Sequence, residues 1–401
     1  MKRWLTIMCS KSSKSYYSCC SIIITAFFFS LSSALNSQFS SFKRINVQKL
    51  SISDVGTAPG LDWSNIGFEY RQTRSLVRYK YRDGIWDDGE DIDASEPYIP
   101  VHAGATGLHY GQSLFEGLKA QACADGQVRL FRPYDNAKRM RRGAERTLMI
   151  APDEVLFVEA CKRAVMNNLD FVPPYGSKGA LYIRPLLFGS GPRIGLQPAD
   201  AYDFLVIVTP VAEYYRSAGL KAVDALVIDD FDRAAPRGVG SVKLAGNYAP
   251  DLQPNFKAKE DGFQVGLYLD AVTHTYVEEF STSNLFGIKG NTYLTPESSA
   301  ILPSITNDSL MRLAESVLNL KVERRQIPFE ELASFSEVAA CGTAVVVTPV
   351  GTLTRRSTLG SGDSVFSYPK HPISTQLYDI VTQIQCGDRP DEFDWLVDVS
   401  S

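Results

Sequence analysis

The chain has 401 residues, 44% of them hydrophobic and 21% charged, and a formal net charge of −4. That length holds two domains and a large core, and the composition is ordinary for a soluble globular protein. A membrane role would need a local apolar segment, and the lack of a basic excess argues against nucleic acid as a partner.

The charge is unevenly spread. Residues 1–53 contain no Asp or Glu and carry Lys2, Arg3, Lys11, Lys14, Lys43, Arg44 and Lys49, so removing these seven bases takes the charge from −4 to −11. An acidic body behind a basic, acid-free leader suggests a processed targeting segment. Bases precede an apolar run, Ile22 to Phe29, and small residues follow to Ala34, as in a signal peptide. The run is far below the roughly 20 residues that span a bilayer. Leu35 to Ser53 is rich in Ser and bases, like an organelle transit peptide. Residues 1–53 are therefore read as a leader, signal-like over 1–34 and transit-like over 35–53. It resembles the bipartite leaders of algal plastids. A mitochondrial presequence and simple secretion are the alternatives.

Cys9, Cys19 and Cys20 lie in the leader, and Cys123, Cys161, Cys341 and Cys386 show no metal or disulfide spacing. A reduced compartment fits this pattern and argues against secretion. His102, His109, His274 and His371 form no H-x3-H pair, so no catalytic metal is expected.

In chain order, Asp87 to Glu96 is acidic and reads as an exposed loop. Val128 to Phe131 alternates like a short strand. Asp135 is expected to cap a helix through Ala137, Met140 and Ala144. Asp153 should start another, with Val155, Val158, Cys161 and Val165 on one face. Ala180 to Phe188 and Phe204 to Thr209 read as buried strands, the second stopped by Pro210. Further strands are expected at Leu220 to Ile228, Gln264 to Leu269, Leu285 to Ile288 and Ala344 to Val347. Helices are expected near Ser309 to Leu320 and Thr375 to Gln385. Strands and helices alternate in both halves, which implies a mixed α/β (α+β) fold. The expected division is a small α/β domain at 60–210, a linker at 211–221 and a larger domain at 222–401.

Five stretches could carry chemistry. In Gly240-Ser241-Val242-Lys243-Leu244-Ala245-Gly246-Asn247-Tyr248, Lys243 sits among small residues that allow close approach of another molecule. A lysine that attacks a carbonyl must be desolvated to be neutral near pH 7. Taken alone, it reads as a surface lysine in a glycine-containing turn, because Lys is rarely fully buried. In Val277-Glu278-Glu279-Phe280-Ser281-Thr282-Ser283-Asn284, a carboxylate enters a small polar turn where it could meet a buried cation; an exposed hairpin end is the bland alternative. Before the helix of Leu310, Leu313 and Val317, Thr306 is a candidate N-cap, and free N–H groups at a helix start bind phosphate. Cys341-Gly342-Thr343-Ala344 offers turn N–H groups and a hydroxyl to an anion. Arg139, one helical turn past Asp135, could reach a phosphate, whereas its neighbours Lys138, Arg141 and Arg142 read as a solvated face.

Together these stretches resemble the branched-chain amino acid aminotransferases, fold-type-IV pyridoxal-phosphate enzymes. HYGQSLFEGLKA (His109 to Ala120) and YIRPLLFGSG (Tyr182 to Gly191) match as well, and the similarity runs from about Gly67 to Val399. The resemblance implies a small and a larger α/β domain with pyridoxal 5′-phosphate between them. It implies transamination between Leu, Ile or Val and 2-oxoglutarate, giving branched 2-oxo acids and glutamate. By motif position Lys243 would hold the cofactor covalently and carry the substrate α-proton. Glu279 would pair with the pyridine nitrogen and Tyr248 with the phenolic oxygen. Arg139, Ile305 (through its N–H), Thr306 and Thr343 would hold the phosphate. Tyr182 and the Thr343-Ala344 backbone would take the α-carboxylate. Phe115, Tyr110 and Tyr214 would wall the side-chain pocket, with Arg184 available to the distal carboxylate of glutamate. Family members are usually homodimers, so Tyr110 would serve the neighbouring subunit. Ser304 stands where the family usually has Gly, Asn307 where it has Arg, and Ala245 where Gly is more frequent. Ser304 would alter the loop if that position needs positive φ. A D-amino-acid aminotransferase or an aminodeoxychorismate lyase shares the Lys and Glu motifs, and a cofactor-binding protein without turnover is the non-enzymatic alternative.

Overall fold

The structure is a computed structural model that describes residues 50–212, 220–357 and 362–400. Residues 1–49 of the expected leader (1–53), most of the linker and Tyr214 lie outside the described residues. Leu50 is buried against the first core.

Among the described residues the chain builds two sheets of nine strands each. The first takes β1 (Ser75–Arg82), β2 (Ile85–Trp86), β3 (Glu90–Asp93), β4 (Ser113–Phe115), β5 (Leu118–Ala122), β6 (Val128–Phe131), β7 (Ala180–Gly189) and β8 (Tyr202–Val211). The second takes β9 (Val223–Ile228), β10 (Val265–Leu269), β11 (Val277–Phe280), β12 (Asn284–Lys289), β13 (Thr292–Pro296), β14 (Lys321–Arg325), β15 (Glu337–Gly342), β16 (Val346–Arg355) and β17 (Ser364–Ser367). The last strand, β18 (Leu396–Asp398), returns to the first sheet and pairs with β6. The helices are α1 (Thr106–His109), α2 (Pro133–Arg146), α3 (Glu154–Met166), α4 (Leu252–Glu260), α5 (Ile305–Ser316) and α6 (Pro372–Gln385). Pairing in the first sheet is antiparallel throughout. In the second, β9 runs parallel to β10 and β16, and β13 parallel to β14. Parallel neighbours need a long crossover, and the one between β9 and β10 contains Lys243.

Each core follows from apolar periodicity. From α3, Phe157, Val158, Cys161 and Val165 pack on Leu181, Ile183, Phe204 and Val206 of β7 and β8. In the second half, Leu310 and Leu313 of α5 and Leu377 and Val381 of α6 cover Phe286, Ile288 and Val347. The other face of that sheet buries Leu267, Phe280, Leu285 and Phe329.

Several local expectations are corrected. Residues 87–96 are not a free loop, because β3 pairs with β1 and Asp91 binds Arg163 at 2.9 Å. Asp135 does not cap α2. Arg132 does, in the left-handed region at φ 52, with Pro133 at the first helical position. Asp135 lies in the first turn and accepts from Arg132 Nε at 2.7 Å. Asp153 does cap α3, accepting from Leu156 N–H, but Val155 is exposed. Pro210 does not stop β8, which runs to Val211. Its pairing with β1 ends at Val206, so the proline sits where β8 is an edge on that side, and a missing N–H is tolerated there. Helix α5 begins four residues before Ser309, and the residues before Val346 form a turn ahead of β16.

Candidate active site

Lys243 lies where the two sheets meet. Phe115 N–H of β4 donates to Lys243 O at 3.2 Å, and Leu114 bridges Leu244. Asn247 fastens the loop from within, donating to the carbonyls of Val239 (2.8 Å) and Val242 (2.9 Å). Gly240 lets the loop pass Ala300, whose carbonyl would lie 2.1 Å from any Cβ.

The half-buried Lys243 amine donates to Tyr248 Oη at 3.1 Å and lies 4.8 Å from the Phe115 ring centre. Burial, then the Arg139 and Arg184 charges, lower its pKa to about 7, against opposing pulls from Glu116 and Glu279. At neutral pH a large fraction is therefore the free amine that a nucleophile or base requires. Burial pushes the Tyr248 phenol up to about 12, so it stays protonated. A surface lysine in a turn is ruled out.

Glu279, in β11, is buried. Its Oε1 accepts from Leu302 N–H at 2.9 Å and pairs with Arg233 Nη1 at 2.7 Å, and its Oε2 accepts from Asn284 Nδ2 at 2.8 Å. Burial raises its pKa to about 7, against the Arg233 charge. The neighbouring Glu278 is also buried and accepts from Ser298 Oγ at 2.7 Å, so an exposed hairpin end is excluded.

The helix is capped by a different residue from the one expected. Ser304, not Thr306, caps α5, accepting Asn307 N–H at 3.1 Å. Its φ of −85 is open to any residue, so a serine in place of glycine strains nothing. Ser304, Ile305 and Thr306 N–H groups have no protein acceptor among the described residues. Asn307 is a buried brace between Tyr293 Oη (2.6 Å) and Thr295 Oγ1 (2.9 Å). Arg139 reaches the same turn, donating to Pro303 O at 2.9 Å, while its other edge grips buried Glu116 at 2.8 and 2.6 Å. Thr343 and Ala344 form the turn between β15 and β16, and Lys119 Nζ donates to Ala344 O at 2.9 Å.

One wall is aromatic. The Arg184 guanidinium lies 4.8 Å from the Phe115 ring centre, 5.2 Å from that of Tyr182, and donates to Tyr182 Oη at 3.1 Å. Gly117 makes room for that hydroxyl, since a Cβ there would meet it at 2.3 Å. Tyr110 is not brought to this cluster. It is exposed after α1 and donates to Ile194 O.

Residues 113–353 match the family model of class IV amino-transferases. The chain belongs to that family. The Haemophilus influenzae branched-chain-amino-acid aminotransferase is 43% identical over 345 residues, covering 84% of this chain and 99% of the relative. The Arabidopsis thaliana chloroplastic branched-chain-amino-acid aminotransferase 5 is 41% identical, covering 91% of this chain and 86% of the relative. Among solved structures, the branched-chain amino acid aminotransferase from Escherichia coli superposes with a TM-score of 0.65 at 26% identity. The match covers 82% of this chain and 100% of the other.

Two side chains of this class IV aminotransferase escape sequence reasoning. Arg233, the partner of Glu279, sits 46 positions earlier in an ordinary-looking loop. Glu116 lies within a recognised motif, but nothing in the pattern links it to Arg139.

Proposed function

We propose that this enzyme transfers the amino group of leucine, isoleucine or valine to 2-oxoglutarate, using pyridoxal 5′-phosphate. The observation that carries the reading is the Lys243 amine, lowered to about 7 and hydrogen-bonded to Tyr248, within the field of Glu279. The donor set fits the cofactor. A carboxylate has about four acceptor positions, and Glu279 uses three on Leu302, Arg233 and Asn284, which leaves one for a ring N–H. The amides at the start of α5 and the Arg139 guanidinium suit a phosphate. Bound there, the cofactor supplies an electron sink for charge at the substrate α-carbon and a store for the amino group between half-reactions.

In this reading Lys243 Nζ anchors the cofactor, then takes and returns the α-proton. Glu279 would face the ring nitrogen and Tyr248 Oη the phenolic oxygen. Arg139, Ile305, Thr306 and Thr343 would hold the phosphate. Tyr182 and the Thr343-Ala344 turn take the α-carboxylate. Phe115 offers an apolar wall for an aliphatic side chain, and Arg184 a cation for glutamate's second carboxylate, so one pocket serves both substrates. Tyr214 belongs to the same assignment. With L-leucine alone, the coloured band of the bound cofactor is expected to fade, and to return with 2-oxoglutarate. A band indifferent to leucine, isoleucine and valine would overturn the substrate class.

This reading puts the cofactor between a small domain, 60–210, and a larger one, 222–401, whose last strand, β18, joins the sheet of the small one. Tyr110 stands exposed with Leu108, Ile194 and Leu196, as a residue lent to a second copy would. The acid-free leader and the chloroplastic relative support import into a plastid, with cleavage before the buried Leu50. Mass measurement on protein purified from its own cells checks both readings. A dimer of shortened chains is expected, and a single full-length chain would overturn them.

A further inference from the structure

Resting on the reading that the start of α5 holds a phosphate, we propose that Arg132 is a positioning residue for that anion, acting through the Ile305–Thr306 peptide. Arg132 is buried behind the turn. Its Nη1 donates to Ser309 Oγ at 2.8 Å and Ile305 O at 3.3 Å, and pairs with Asp308 at 2.8 Å. Its Nε binds Asp135 at 2.7 Å, and the guanidinium lies 5.3 Å from the centre of the Trp395 ring. The group is thus fixed from three sides: its own helix, the C-terminal segment and α5.

The carbonyl of Ile305 and the N–H of Thr306 belong to one planar peptide. A cation on the oxygen polarises the N–H at the other edge, and such linked hydrogen bonds strengthen one another. Ser309 Oγ adds a second donor to the same oxygen at 2.9 Å. Arg139 does the same two peptides earlier. It donates to Pro303 O at 2.9 Å, and that carbonyl shares its peptide with the Ser304 N–H. Two arginines seven positions apart on one helical segment therefore hold alternate carbonyls of the turn. Their grip turns the intervening amides outward and makes them stronger donors. In Arg132 the Nε and Nη1 groups are taken by protein partners.

The test compares pyridoxal 5′-phosphate with pyridoxal, which has the same ring and no phosphate, by measuring the dissociation constant of each from the cofactor-depleted protein. Arg132→Gln is expected to weaken pyridoxal 5′-phosphate binding roughly tenfold or more, as loss of helix-terminal anion contacts does, and to leave pyridoxal binding unchanged. Arg132→Lys keeps the charge but not the fork, so it should show a smaller loss confined to the phosphorylated ligand. If the glutamine variant does not fold, the lysine variant decides. Equal losses for both ligands, or none, would overturn the role of Arg132. Wild-type protein that binds pyridoxal as tightly as its phosphate would instead overturn the phosphate reading of α5 itself.

Discussion

Lys243→Met is expected to abolish transamination while making the cofactor-free protein more resistant to heat at neutral pH. Under the proposed function, the variant loses both the anchoring amine and the group that moves the α-proton. Together these are worth at least roughly a thousandfold. The stability gain follows from linkage. The folded-state pKa is depressed to about 7 from the ordinary 10.5, chiefly by burial. Between those values the unfolded chain binds more protons at this position than the folded one. The lysine therefore costs stability as pH falls from about 10.5 towards 7, and below 7 the full cost is present. Methionine is unbranched, one atom shorter and carries no charge to desolvate, so this slope should vanish. Thermal melts of the cofactor-free proteins across pH 7 to 10.5 check it, beside turnover with leucine and 2-oxoglutarate. Normal turnover in the variant would overturn the assignment of Lys243. A melting temperature lowered across the whole range would mean that the amine is held as a cation.

The same residue shows what is legible in the sequence. Lys243, Tyr248 and Glu279 stand out because each sits in a contiguous run whose order matches a known family, and class IV membership follows from those runs. Contacts set by folding do not show. Glu116 and Arg139 are 23 positions apart, and nothing in either segment specifies that a buried carboxylate occupies one edge of the guanidinium. Arg233 carries no such signal; the crossover before β10 brings it to Ala300 O at 3.1 Å and to Glu279 at 2.7 Å. Local signals fail where tertiary contacts outweigh propensity. Thr306 and Ser304 are both good capping types, and only backbone geometry selects the serine. Arg132 caps α2 in a conformation that costs energy for a non-glycine residue. Its N–H bond to Trp395 O at 2.7 Å and its buried side chain hold it there. In contrast, β7 and β10 are readable because their apolar runs and their burial say the same thing, and α3 because all of its expected apolar face but Val155 is buried.

Glu279→Gln is expected to lower transamination roughly a hundredfold, the scale on which a positioned charge at a reacting centre acts, and to shift its pH dependence in a stated direction. The Glu279 charge raises the Lys243 pKa while Arg139 and Arg184 lower it. Removing that charge leaves the cations unopposed from this side, so the ascending limb of the rate profile should move to lower pH than in wild type. The variant also leaves the Arg233 guanidinium, only 6% exposed, without its carboxylate. Breaking one half of a buried pair costs about 3–5 kcal/mol, so the melting temperature should fall. The double variant Arg233→Met with Glu279→Gln separates the two effects. It removes the stranded cation and should recover much of the stability, because an apolar side chain can replace a buried ion pair at little cost. It should recover none of the rate if, as proposed, Glu279 is the acidic partner of the ring nitrogen. Recovery of both would make Glu279 a structural counter-ion for Arg233. Recovery of neither would mean that Arg233 itself faces the cofactor.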